Sequence, residues 1–150
     1  MISLSEAPSE HAILHNIGRV HFLAGNYHDA IKAYSRTLAD LGPQGLNAEE
    51  FTVEKEPSSD IDSFRTAVAL NCIGVCRLRS HHDDDVVTYP LDKTLLLFHK
   101  ALSILDKVKN TSRSVALAKA KIINNIGRAL FQQEGYSPCT PRPANYAHIF

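Results

Sequence analysis

The chain has 150 residues, 44% of them hydrophobic, with 16 basic and 16 acidic side chains and an isoelectric point near 7.1. That length suits one domain with a real core and leaves no room for two large enzyme lobes. Zero net charge argues against a nucleic-acid binder that relies on a broad basic surface. Three cysteines (Cys72, Cys76 and Cys139) are too few and of the wrong parity for a disulfide framework, which points to a reducing compartment. Met1 to Glu10 carry two acids and no base, the wrong start for a secretory signal or an Arg-rich transit peptide. The longest apolar stretch, around Ala67–Cys76, lies between Arg65 and Arg77 and falls far short of the roughly 18 residues that cross a bilayer. A soluble, cytoplasmic protein is expected, with no membrane partner.

In chain order, Ser9 is a good N-cap for a first helix to Phe22–Leu23, which Gly25 is placed to end. A second helix opens at Asn26 with Asp29 in its first turn, carries Ala30, Ile31, Ala33, Tyr34 and Leu38, and stops near Gly42-Pro43. Residues 43–58 hold two prolines and no sustained period and read as a loop. Ser59 or Asp60 caps a third helix through Ile61, Phe64, Val68, Ile73 and Val75 to about Arg79. The polar run from Ser80 ends at Pro90, which suits the first position of a fourth helix, Leu91 to about Lys109, with Leu95, Phe98, Leu102 and Leu105 on one face. Asn110 or Thr111 opens a long fifth helix ending at Glu134-Gly135. Every proline avoids these periodic segments, as it must where an interior proline costs about 3 kcal/mol. The pattern predicts an all-α domain over 9–135 and an irregular, Pro-rich tail over 136–150.

Three of the helices repeat one motif: Leu14-x-x-Ile17-Gly18, Leu70-x-x-Ile73-Gly74 and Ile123-x-x-Ile126-Gly127. A glycine inside a helix costs about 1 kcal/mol against alanine. Three in the same apolar frame imply a neighbouring helix too close for a Cβ. In two copies the surroundings also agree, Asn16-Ile17-Gly18-Arg19 against Asn125-Ile126-Gly127-Arg128, with Tyr27 and Tyr136 each nine residues after the glycine.

These residues resemble the tetratricopeptide (TPR) family, whose pattern is a first helix with large-x-x-Leu-Gly-x-x-Tyr, a tight turn, and a second helix with Ala-x-x-x-Phe. Leu14, Ile17, Gly18, Gly25, Tyr27, Ala30 and Tyr34 match in the first copy, and Leu70, Ile73, Gly74, Phe98 and Ala101 in the second, where Thr94 replaces the alanine. The third copy keeps Ile123, Ile126, Gly127 and Tyr136 and loses its second helix at Pro138. The glycines are 56 and 53 residues apart, more than the family's repeat of about 34. The long lead-in after Ala101 is closer to the longer-repeat variety of kinesin light chains and related peptide-binding scaffolds. The resemblance implies helical hairpins in a short right-handed solenoid whose first helices line a concave groove. It also implies a non-catalytic scaffold for a protein or peptide segment, with no cofactor. Two full hairpins and a lone helix leave Leu117, Ile122, Ile123, Ile126 and Leu130 incompletely covered, which suggests self-association or membership of a longer array.

The binding residues expected on this reading are Asn16, Arg19, Phe22, Arg79, Asn125, Arg128 and Phe131, with the asparagines holding peptide backbone and the arginines favouring an acidic segment. The asparagine that carboxylate-clamp TPRs carry after the glycine is replaced by Arg19, Val75 and Arg128, which argues against a chaperone-tail role. The rival enzyme reading is a metal-dependent hydrolase built on His81, His82 and Asp83–Asp85, but adjacent ligands point apart and a solvated loop explains them better. Cys72 and Cys76 share a helix face without Cys-x-x-Cys spacing and read as packing residues. His11 and His15, four apart, lack the glutamate of His-Glu-x-x-His. Binding of nucleic acid through Arg19, Arg79, Arg128 and the Lys107–Lys121 stretch is disfavoured by the charge balance.

Overall fold

The structure is a computed structural model that describes residues 9–39, 57, 59–80, 89–110 and 112–135. Among these residues there are five helices and no strand: α1 (Glu10–Leu23), α2 (Tyr27–Ala39), α3 (Asp60–Ser80), α4 (Leu91–Asp106) and α5 (Arg113–Gly135). The all-α reading therefore holds. None of these helices is long and apolar enough to cross a membrane. Most of the 43–58 loop, the segment after Ser80 with His81–Asp85, and the tail over 136–150 with Cys139 lie outside the described residues.

Serine hydroxyls start three of the helices. Ser9 accepts the Ala12 N–H at 3.3 Å, and Ser59 accepts the Asp62 N–H at 3.1 Å while donating to the Asp62 carboxylate at 2.8 Å. Ser112 accepts the Val115 N–H at 3.4 Å, so it caps α5 in place of the expected Asn110 or Thr111. The Asn110 backbone N–H instead donates to Asp60 at 3.3 Å and ties the α4–α5 connection to the start of α3. Pro90 sits one place before its expected position: it is the N-cap of α4, and its carbonyl accepts the Thr94 N–H. The end of α4 falls at Asp106 rather than near Lys109, because Lys107 and Val108 turn back onto the Ile104 and Leu105 carbonyls, both at 3.3 Å.

A Schellman turn joins α1 to α2. Gly25 stands at φ +80°, its N–H reaches the Phe22 carbonyl at 3.1 Å, and the Asn26 N–H reaches His21 at 2.9 Å. The hairpin closes on a glycine: a Cβ built at Gly18 would lie 2.7 Å from the Tyr34 ring. Gly18 and Tyr34 stand at similar distances from the turn, so α1 and α2 run antiparallel. The second hairpin repeats the arrangement, with a Gly74 Cβ falling 2.5 Å from the Phe98 ring. Small residues flank each ring along its own helix, Ala30 and Thr37 around Tyr34, Thr94 and Ala101 around Phe98, all fully buried. Each threonine hydroxyl donates within its own helix, Thr37 to the Tyr34 carbonyl at 2.7 Å and Thr94 to the Pro90 carbonyl at 3.2 Å, so neither leaves an unpaired donor in the core.

Each helix packs on the next in sequence, and α3 also meets α5. The core runs along this stack through Leu70, Ile73, Leu97, Phe98, Leu105 and Ile122. One surface of α3, with Ala69, Ile73 and Cys76, is wholly buried against the first hairpin. In the same register of α5, Ile122 and Ala129 are buried and Ile126 half-buried against the second. In α1 that register holds Ile13, Ile17 and Val20, which remain 45%, 42% and 65% exposed.

Gly127 departs from expectation: a Cβ there meets nothing within 4 Å, because no described helix follows α5 to supply a ring. Gly18→Ala and Gly74→Ala should each cost about 1–3 kcal/mol, since a rigid buried ring must shift. Gly127→Ala should stabilise the chain by up to about 1 kcal/mol. Thermal and urea unfolding of the three variants reads the difference, and equal effects at all three positions would contradict the contacts described.

Candidate functional site

Charge is sorted unevenly along the chain. Fourteen of the sixteen basic residues, but only seven of the sixteen acids, lie among the described residues. On α1, α3 and α5 the carboxylates are confined to Glu10, Asp60 and Asp62 at helix starts and Glu134 at a helix end. Between these ends the ionised groups are all basic: Arg19, Arg65, Arg77, Arg79, Arg113, Lys119, Lys121 and Arg128. Arg65 is 3.9 Å from Asp62, Lys119 is 2.8 Å from Asp106, and the Arg77 guanidinium lies 4.8 Å over the Tyr89 ring. Arg19, Arg79, Lys121 and Arg128 make no ion pair among the described residues.

Tyr34 of α2 lies between α1 and α3. Its ring fills the gap left by Gly18, the His15 ring lies against it at 5.3 Å between centroids, and its hydroxyl reaches the Cys72 thiol on α3. The Arg19 charge acts on Tyr34 from α1, and the Lys121 charge acts on Cys72 from α5. Burial, aided by the neighbouring Arg19 charge, holds the His15 pKa below the usual histidine value, so His15 is neutral at neutral pH. Burial pushes the Cys72 thiol up to about 11 and the Cys76 thiol up to about 12, and it raises the Tyr34 hydroxyl as well. These thiols pack as neutral groups and are not nucleophiles.

The expected binding residues fall on different surfaces. Arg19 is exposed beside His15 and Tyr34. Asn16, only three residues earlier, lines a shallow open depression on α1 with Ile13, Ile17, Val20 and His21. That register is the one buried against a preceding hairpin in α3 and α5. Asn125, in the same register, is buried, and its amide donates to the Asn71 carbonyl oxygen at 2.9 Å across the α3–α5 contact. Its amide therefore ties two helices of the stack together. Phe22 is half-buried, edge-on to Tyr27 with centroids 5.7 Å apart. Arg79 and Phe131 are exposed and Arg128 is half-buried. Lys121 belongs to the same basic set, although it lies outside the repeated Asn/Arg motif. Its signal in the sequence is the absence of any acid between Arg113 and Gln133.

The His81–Asp85 group of the hydrolase reading lies outside the described residues, and among the described residues no three His, Cys, Asp or Glu side chains cluster to hold a metal ion. Compared with known proteins, the chain matches no family model, no curated protein and no solved structure.

The raised thiols have a measurable consequence. A thiol held neutral by the fold contributes stability that is intact below its ordinary pKa of 9.0 and lost as pH rises through the folded value of about 11. The denaturation midpoint should therefore fall between about pH 9 and pH 11, and should fall less in the Cys72→Ala, Cys76→Ala double variant. At pH 8, the buried Cys76 should react with a thiol reagent only as fast as the chain unfolds, and more slowly than the half-buried Cys72, read by mass spectrometry of the labelled peptide.

Proposed function

We propose that the chain is a non-catalytic, TPR-like helical repeat module that binds an extended acidic or phosphorylated segment of another protein. On this reading the two hairpins and α5 form a short right-handed solenoid, and the first helices of the repeats line its groove. The observation that supports the reading is that Arg19, Arg79, Lys121 and Arg128 stand without ion-pair partners among the described residues, on helices whose interiors hold no carboxylate. A ligand lying across α1, α3 and α5 would meet Arg19, then Arg79, then Lys121 and Arg128, all without ion-pair partners among the described residues. Each arginine donates in a fork that matches a carboxylate or phosphate, and each such bond contributes about 1.5–3 kcal/mol where it is partly shielded from water. The Asn71–Asn125 bond supports the reading from beneath, because it fixes α5 against α3 and so fixes the spacing between the cations. A preformed spacing lowers the ordering cost of binding.

The test is fluorescence anisotropy with a labelled ten-residue Glu/Ser-rich peptide, its phosphoserine form, and a Lys-rich peptide of equal length. The two anionic probes should bind and the cationic one should not. Binding should weaken with added salt and drop about tenfold or more, over 1.4 kcal/mol, in the Arg19→Glu, Arg128→Glu double variant. Circular dichroism confirms that the variant remains helical. Undiminished affinity in a folded double variant would move the binding surface elsewhere.

A further inference from the structure

Among the described residues, the two end helices of the stack each leave a seam exposed. On α1 it is Ile13, Asn16, Val20 and Leu23, with Ile17 beside them and Leu23 73% exposed. On α5 it is Leu117, Ala120, Asn124, Gly127 and Phe131, with Leu117 54% and Phe131 64% exposed. Steps of three and four residues are those of a seam that packs on another helix. Neither seam contains a charged residue, and each contains one asparagine. That asparagine restricts what can cover it: a buried amide left without a partner costs about 1–3 kcal/mol.

The fold already contains the contact that would satisfy both. Where α5 meets α3, Asn125 donates to Asn71 at 2.9 Å, joining a residue two places before its glycine to one three places before its own. Asn16 stands two places before Gly18, and Asn124 three places before Gly127. α1 supplies only one half of the pair, because His15 holds its other place, and α5 supplies the half that is missing. We infer that the chain self-associates end to end, α1 of one copy lying on α5 of the next with Asn16 bonded to Asn124. The internal junction fixes the sense. The Asn110–Asp60 bond ties the starts of α5 and α3 and the Asn125–Asn71 bond their middles, so the two run in one direction. With α1 laid on α5 in that direction, Ile13 falls beside Ala120, Val20 over the open Gly127 and Leu23 beside Phe131, large against small in the first two places. No described helix stands where α4 stands in the internal junction, so this interface is the smaller one, below about 1,200 Å² in total, and association is weak. The two surfaces differ, so the contact does not close on itself and copies add in a row. It does not rest on the acidic-ligand reading.

The test is sedimentation velocity of the full chain from about 10 μM to about 1 mM, the range in which so small an interface associates. The mean mass of the parent should rise with concentration and pass that of a dimer. Val20→Glu and Ala120→Glu each place a carboxylate in one seam at an exposed position, so both variants should keep the helical circular dichroism of the parent. Each alone should be monomeric over the same range. Their equimolar mixture should form a dimer and stop there, because the intact α5 of the first receives the intact α1 of the second. Asn124→Ala should weaken parent association about tenfold. Salt at about 0.5 M should leave association in place while it weakens binding of the acidic peptide, which separates the two contacts. A parent chain that stays monomeric would overturn the inference and leave the α5 seam to Tyr136, Tyr146 or Phe150 of the tail, or to another protein. Association retained by either glutamate variant, which marks contact between like seams, or a mixture that fails to pair, would overturn it equally.

Discussion

The fold turns on an aromatic ring resting on a bare helix backbone. Gly18 and Gly74 are each a poor choice for an isolated helix, by about 1 kcal/mol. Each is offset by the ring it admits, since burying a side chain the size of phenylalanine stabilises by about 1.5–3 kcal/mol. Phe98 is fully buried and Tyr34 nearly so. The contact also sets geometry: it fixes how close α2 lies to α1 and α4 to α3, and hence which surface each hairpin turns towards its neighbour. Ala69, Ile73 and Cys76 are sealed because that choice has already been made one helix earlier. Tyr34 extends the logic, because its hydroxyl reaches past its own hairpin to Cys72 and brings the next repeat under the same constraint.

Much of this was legible in the sequence, and the parts that were not have a common cause. The helices, the Ser9 and Ser59 caps, the Gly25 turn and the buried faces of α2 and α4 follow from local spacing, which acts over three or four residues. Gly127 has the same local spacing as Gly18, yet its role depends on a ring supplied from outside its own helix. Asn125 likewise finds Asn71 from 54 residues away, and nothing around either residue announces the bond. Asn16 and Arg19 are three apart and about 60° apart around the helix axis. That angle is small enough to suggest one face, and large enough to straddle the border between the stacking surface and the side of the helix facing Tyr34.

Net charge misleads in a related way. A balance of zero over 150 residues coexists with a described set of residues that carries twice as many bases as acids. The field a ligand meets within about 10 Å is set by the local balance, because salt screens the rest. Exclusions drawn from whole-chain charge are therefore weaker for a protein that gathers its carboxylates into particular segments.

The wiring of the stack has a consequence for how the molecule opens. Among the described helices each packs chiefly on the next in sequence, and α3 also reaches α5. Such short-range topology favours rapid folding and allows each end to fray while the middle stays closed. The helix enclosed from both sides is α3, whose Ala67, Ala69, Leu70 and Ile73 are completely buried. Amide hydrogens should accordingly exchange first from α1 and the end of α5 and last from the centre of α3, giving the chain a gradient of kinetic protection along the axis of its stack.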